Sequence, residues 1–170
     1  MTLSLYVLRH GKAELDSPRG GDHARPLKKR GRAAAKQVGQ FLSRIGEQPE
    51  LVLASSALRA SETAELAAEA GGWKTELEGS REIYGATPEK LLERIRAVES
   101  SPERLLLVGH EPSLSSLVAL LAGGNPPAFP TGALARIDFG LSRWREVTPQ
   151  SGVLVWLVVP RLLEALPGTD

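Results

Sequence analysis

The sequence predicts an α/β layered domain, a three-layer α/β/α sandwich around a mostly parallel central sheet. Two observations carry this expectation. Short apolar runs alternate along the chain with stretches of helical period, the pattern of strands joined by crossover helices. The strongest runs also lack polar alternation, which suits strands buried under helices on both faces. The 170 residues fit a single domain over 1–170, taking roughly 150 residues as typical. A chain of this length buries roughly 70% of its unfolded surface, enough for a core without covalent staples.

The elements follow in order. Leu3 to Leu8 is a short apolar run that stops at Arg9-His10-Gly11, as a buried strand would. Residues 12–27 are polar, with Gly20-Gly21 and two prolines, and read as a loop. From Lys29 to Ile45, Ala34, Val38, Phe41, Leu42 and Ile45 fall on one helical face, closed by Gly46. Leu51–Ala54 is the second buried strand. Ser55 and Ser56 are N-cap candidates for a helix running to about Ala70 and closed by Gly71-Gly72. A weak strand is expected at Lys74–Leu77.

Pro88 then opens a helix with Leu91, Leu92, Ile95 and Val98 on one face. Leu105–Val108 is the third buried strand, ending at Gly109-His110, and Pro112 starts a helix striped by Leu114, Leu117, Val118 and Leu121. After the break at Gly123-Gly124-Asn125-Pro126-Pro127, strands are expected at Ala133–Phe139, Trp144–Val147 and Val153–Val159, with Trp144 and Trp156 in the core. The final dozen residues read as a short helix or a loose tail.

Composition excludes several function classes. There is no cysteine, which removes disulfides, thiolate catalysis and Cys-based metal sites. The net charge of +1 supplies no bulk field for nucleic acid or an anionic membrane. The longest apolar run, Val153 to Pro160, is far short of the ~18–20 residues that cross a bilayer. Arg9 arrives too early for a signal peptide, so a cytoplasmic protein is the expectation.

In open α/β sheets, ligands gather beyond the carboxyl ends of the strands. Three strand ends here carry polar groups: Arg9-His10-Gly11, then Ser55-Ser56 leading to Arg59, then Gly109-His110-Glu111. Parallel neighbours would gather two histidines and two arginines on one rim. Taken singly, each is ordinarily a satisfied structural or solvated residue; their coincidence points to a site. Two guanidinium charges fit a divalent cation poorly, whereas a phosphoryl group takes bidentate arginine contacts and helix N-terminal amides. An imidazole nitrogen can attack phosphorus and carry the group, and a second histidine can bind an oxygen as charge spreads in the transition state. Arg9 and His10 would point to opposite faces of a strand, so the backbone must turn at Gly11, where glycine tolerates unusual dihedrals.

These motifs resemble a known family. Leu8-Arg9-His10-Gly11 is similar to the signature of the histidine phosphatase, or phosphoglycerate mutase-like, superfamily. Ser55-Ser56-Ala57-Leu58-Arg59-Ala60-Ser61-Glu62-Thr63-Ala64 and Val108-Gly109-His110-Glu111 resemble its second and third motifs. Order and spacing agree over nearly the whole chain. Arg25-Pro26-Leu27 and Phe129-Pro130-Thr131-Gly132-Ala133 resemble segments of the SixA-like phosphohistidine phosphatases.

The resemblance implies a phosphoglycerate mutase-like fold. It implies His10 as nucleophile, with Arg9, Arg59 and His110 binding the transferred phosphoryl group, and no metal or organic cofactor. Many members of the superfamily supply a general acid between the second and third motifs. Glu82 lies in that region and is weighed against an ordinary surface glutamate, with Glu14 and Glu111 as further candidates. Gly11, Lys12 and Arg25 are candidates to extend the phosphate-binding rim. The expected partner is a phosphorylated protein, such as a histidine phosphotransfer domain, or a small phosphorylated molecule. Nucleic acid and membrane are not expected partners. The competing readings are a small-molecule phosphomonoesterase and a non-catalytic phosphohistidine-binding module.

Overall fold

Side chains alternate across a strand, so a strand buried on both faces feeds two cores. The computed structural model describes residues 2–167. Its elements are β1 (Leu3–Arg9), a 3₁₀ turn (Asp22–Ala24), α1 (Lys29–Arg44), β2 (Leu51–Ser55), α2 (Leu58–Gly71), β3 (Glu76–Ser80), α3 (Pro88–Arg96), β4 (Arg104–Gly109), α4 (Ser113–Ala122), β5 (Leu134–Phe139), a second 3₁₀ turn (Trp144–Glu146), β6 (Gly152–Val158) and α5 (Pro160–Glu164). Leu5 and Val7 of β1 pack with Leu53, Leu107, Ile95 and Leu117 in one core. Tyr6 and Leu8 pack with Val52, Leu106, Leu42 and Ala64 in the other. Helices α3 and α4 therefore cover one face, and α1, α2 and α5 the other, as the three-layer expectation requires.

The six strands run in the order β3-β2-β4-β1-β5-β6. β1, β4, β2 and β3 are mutually parallel; β5 runs antiparallel to β1, and β6 antiparallel to β5. The register pairs Arg9 with Gly109 and Ala54 with Val108. The carboxyl ends of β1, β4 and β2 thus lie side by side on one rim. Among the described residues, no helix is long and apolar enough to cross a membrane.

Helices α1 and α2 approach so closely that a Cβ on Gly39 would sit 1.9 Å from the Ala67 carbonyl oxygen. Gly39→Ala must push two backbones apart and is expected to cost about 1–3 kcal/mol of overpacking strain. Urea unfolding would show this as a lowered midpoint.

Four expectations are corrected. Trp144–Val147 is no strand: Trp144–Glu146 is a 3₁₀ turn. The free edge of β5 is already taken by β6, and the Trp144 indole plugs the core instead, its Nε1 donating to the Pro102 carbonyl at 2.8 Å. The weak strand lies later than expected, at Glu76–Ser80, as an exposed edge. The N-cap of α2 is Ala57, with no side-chain cap. Ser55 still accepts the Ala57 N–H at 3.2 Å, but Ser56 turns to His23 at 2.8 Å. Gly11 takes no positive φ; what demands glycine there is close approach, since a Cβ would meet the Gly31 carbonyl oxygen at 2.6 Å. The chain after β6 forms the short helix α5. Trp144 is buried, whereas Trp156 is half-buried against Tyr6 and Phe41.

Candidate active site

The rim is pinned by the backbone before any side chain acts. The His10 N–H donates to the Gly109 carbonyl at 3.1 Å, and the Gly132 N–H reaches the Arg9 and His10 carbonyls at 3.1 Å each. The Gly11 N–H donates to Thr63 Oγ1 at 3.0 Å, and the Thr63 hydroxyl donates to the Arg59 carbonyl at 2.6 Å. This relay ties the loop after β1 to the first turns of α2.

The structure brings Arg9, His10, Arg59 and His110 together. The two imidazole rings lie 5.2 Å apart, centroid to centroid. His10 and Arg59 are buried, Arg9 and His110 half-buried. His10 Nδ1 lies 2.7 Å from the Gly11 carbonyl. A carbonyl only accepts, so Nδ1 carries the hydrogen and Nε2 keeps a free lone pair. His110 Nε2 lies 2.7 Å from Ser55 Oγ. Ser55 already accepts the Ala57 N–H and can donate its own proton to Nε2, which leaves His110 Nδ1–H as a donor.

Buried polar atoms are nearly always partnered. Among the described residues, four buried side-chain atoms are not: Arg9 Nε, Arg59 Nε, His110 Nδ1 and, on α1, Gln37 Oε1. Three of the four belong to this cluster, and all three are nitrogens able to donate. Such a set can hold the oxygens of a tetrahedral anion.

The electrostatics suit that anion. Burial, then the charges of Arg59 and Arg9, lower the His10 pKa from 6.5 to about 4. Burial, Arg59 and His10 lower that of His110 to about 3. Both rings are neutral at pH 7, and an arriving dianion would favour their protonation. The unfolded chain binds these protons near pH 6.5, while the folded chain resists them down to about pH 4. Stability is therefore full above pH 6.5 and falls as the pH drops through that window. Chemical denaturation between pH 7.5 and pH 4.5 should show this loss, and His10→Asn should flatten it.

The other candidates divide. Arg25 stands at the rim: its Nε donates to Asp22 Oδ1 at 3.0 Å, its Nη1 to the Glu14 carbonyl at 2.9 Å, and its charge also lowers the His10 pKa. Glu14 thus contributes a carbonyl there. Lys12 is exposed, and its backbone packs on Gly31. Glu111 is occupied at the start of α4, accepting the Ser115 N–H and hydroxyl at 2.7 Å each. The Glu82 carboxylate makes no hydrogen bond to the cluster among the described residues. It is exposed and borders a groove of about 380 Å³ shared with Lys90, Glu93 and Arg94 of α3.

Two site residues escaped sequence reasoning. The Asp22 carboxylate faces Arg59, its Oδ2 3.0 Å from Nη2, and the Tyr84 hydroxyl donates to that same oxygen at 2.7 Å. Tyr84 also stands edge-on to His110, with centroids 5.7 Å apart. The one local signal was an acidic residue directly after the Gly20-Gly21 pair.

Residues 5–93, slightly more than half of the chain, match the histidine phosphatase superfamily (branch 1). The uncharacterized protein Rv1276c of Mycobacterium tuberculosis (strain ATCC 25618 / H37Rv) is 34% identical over 165 residues, 91% of this chain and 100% of that protein. Phosphohistidine phosphatase SixA of Escherichia coli (strain K12) is 28% identical over 138 residues, 79% of this chain and 84% of that protein. The solved structure of the protein histidine phosphatase SixA complexed with tungstate superposes with a TM-score of 0.79 at 25% identity, covering 95% of this chain and 99% of that one. A family match over more than half of the chain, together with the SixA relative and the superposed SixA structure, shows that the chain belongs to branch 1 of the histidine phosphatase superfamily and is a SixA-like protein.

Proposed function

We propose that this protein hydrolyses phosphohistidine on a protein through a covalent phosphohistidine at His10. The observation that carries the reading is the set of three unpartnered buried nitrogens around a neutral imidazole with a free Nε2 lone pair. His10 Nε2 attacks phosphorus and the substrate's P–N bond breaks, the leaving ring departing as neutral imidazole with a proton supplied by solvent. The Nε edges of Arg9 and Arg59 and the His110 Nδ1–H hold the phosphoryl oxygens, where charge spreads in the transition state. Water then attacks phosphorus in phospho-His10 and the Nε2–P bond breaks, releasing inorganic phosphate and restoring the neutral His10 ring.

The surrounding carboxylates support a P–N substrate. An alkoxide leaving group needs a proton donor. Asp22, the carboxylate bonded to Arg59, has its pKa lowered to about 2, chiefly by the Tyr84 hydrogen bond and then by Arg59. It is therefore ionised at neutral pH and cannot donate. Glu111 is held by Ser115, and Glu82 stands apart on the α3 groove. The relative SixA, a phosphohistidine phosphatase, supports the same reading. The test compares phosphate release from a phosphohistidine-bearing protein with release from a phosphoserine protein and p-nitrophenyl phosphate. We expect kcat/KM to favour phosphohistidine by about 10²-fold or more, roughly 3 kcal/mol of transition-state discrimination. The reverse ranking would move the substrate to a small phosphate ester.

A further inference from the structure

A guanidinium offers two edges, the Nη1/Nη2 fork and the side headed by Nε. In Arg59 a single residue fills the fork: Nη1 donates to the Asp22 carbonyl at 2.7 Å, and Nη2 to Asp22 Oδ2 at 3.0 Å. The Nε is buried and free. Asp22 is itself held from two other sides, by the Tyr84 hydroxyl on Oδ2 at 2.7 Å and by Arg25 Nε on Oδ1 at 3.0 Å. Gly20 and Gly21 precede it with φ of 76° and 82°, a path closed to most side chains. That path lets the backbone and the side chain of one residue grip the same guanidinium.

The charges make this grip necessary. Arg59 shares the site with Arg9, Arg25 and two imidazoles, and the three arginine charges together lower the His10 pKa. An arginine with its fork unfilled would relax toward solvent, since its long side chain regains rotamer freedom there. We propose that Asp22 is the positioning residue of Arg59, filling its fork so that the Nε edge faces the phosphoryl group, with Tyr84 holding the Asp22 carboxylate in place. The assignment rests on the phosphoryl-transfer reading of the site. A bound anion can draw a loose Arg59 inward, but the transition state needs it already placed. Loss of Asp22 therefore weakens kcat more than KM.

The test is a double-mutant cycle on phosphohistidine turnover with Asp22→Ala, Tyr84→Phe and Arg59→Ala, each also measured in the Arg59→Ala background. Asp22→Ala should lower kcat about 30-fold with KM within about threefold, and Tyr84→Phe about fivefold. In the Arg59→Ala background, each should add less than about twofold, because Asp22 acts only through Arg59. In Asp22→Asn, the raised Tyr84 pKa should fall back toward about 10 in an absorbance titration. If Asp22→Ala fails to fold, the Tyr84→Phe arm and this titration carry the same decision. Additive losses in the double variants, or an unchanged kcat in both singles while Arg59→Ala is impaired, would overturn the assignment and leave the function standing. An Arg59→Ala enzyme of undiminished turnover would overturn both.

Discussion

His10→Asn is expected to lower turnover of a phosphohistidine protein by about 10⁴-fold or more. Asparagine can still donate to the Gly11 carbonyl, as Nδ1 does at 2.7 Å, so the loop after β1 keeps its anchor. What vanishes is the Nε2 lone pair, and no neighbour can replace it. His110 Nε2 is engaged with Ser55, and its Nδ1 carries the hydrogen that a phosphoryl oxygen would need. The variant should fold, and in acid it should be the more stable protein. It lacks a group whose folded pKa of about 4 charges the native state a penalty as the unfolded ring takes up its proton. Steady-state phosphate release and denaturation at pH 5 measure the two halves. Turnover within tenfold of the parent would mean that another group attacks phosphorus.

Arg59→Ala is expected to lower kcat/KM by about 10³-fold, roughly 4 kcal/mol of transition-state stabilisation. Arg59 supplies one of the three unpartnered nitrogens and a fixed positive charge that adds to burial, the larger cause, in holding the His10 pKa down. Arg59→Lys should recover no more than about tenfold. An ammonium restores charge but cannot give one edge to Asp22 and another to the substrate. Without the guanidinium, Asp22 loses one hydrogen-bond donor from its backbone carbonyl and one from its carboxylate, and the carboxyl pKa should rise toward the ordinary aspartate range. Lysine matching the parent would show that charge alone suffices.

How far the sequence could be read depended on whether a residue's neighbours were local. The strands β1, β2 and β4 were legible because unbroken apolar runs such as Leu51–Ala54 have one favourable destination, a sheet covered on both faces. The gathering of His10, Arg59 and His110 followed from the same fact, since parallel neighbours end on one rim. Trp144–Val147 was misread because β-propensity cannot tell a strand from a turn that buries one large ring; the decision lay in the contact with Pro102, 42 residues away. Ser55 was misassigned as a cap because its partner, His110, lies 55 positions on. Asp22 and Tyr84 are separated by 62 positions, and only the folded loop makes them one unit with Arg59. Glu82 was placed near the site by its position between motifs, yet β3 is an edge strand, and the turn after it hands Glu82 to the groove beside α3.

The most direct measurement is rapid alkaline quench during the first turnover with phosphohistidine protein labelled on phosphorus, followed by peptide mapping. Alkali preserves P–N bonds that acid would break. The expected result is label on His10, carried at Nε2, and none on the His10→Asn variant. Label on a different residue, or phosphate freed in that turnover without ever passing through the enzyme, would contradict the covalent route.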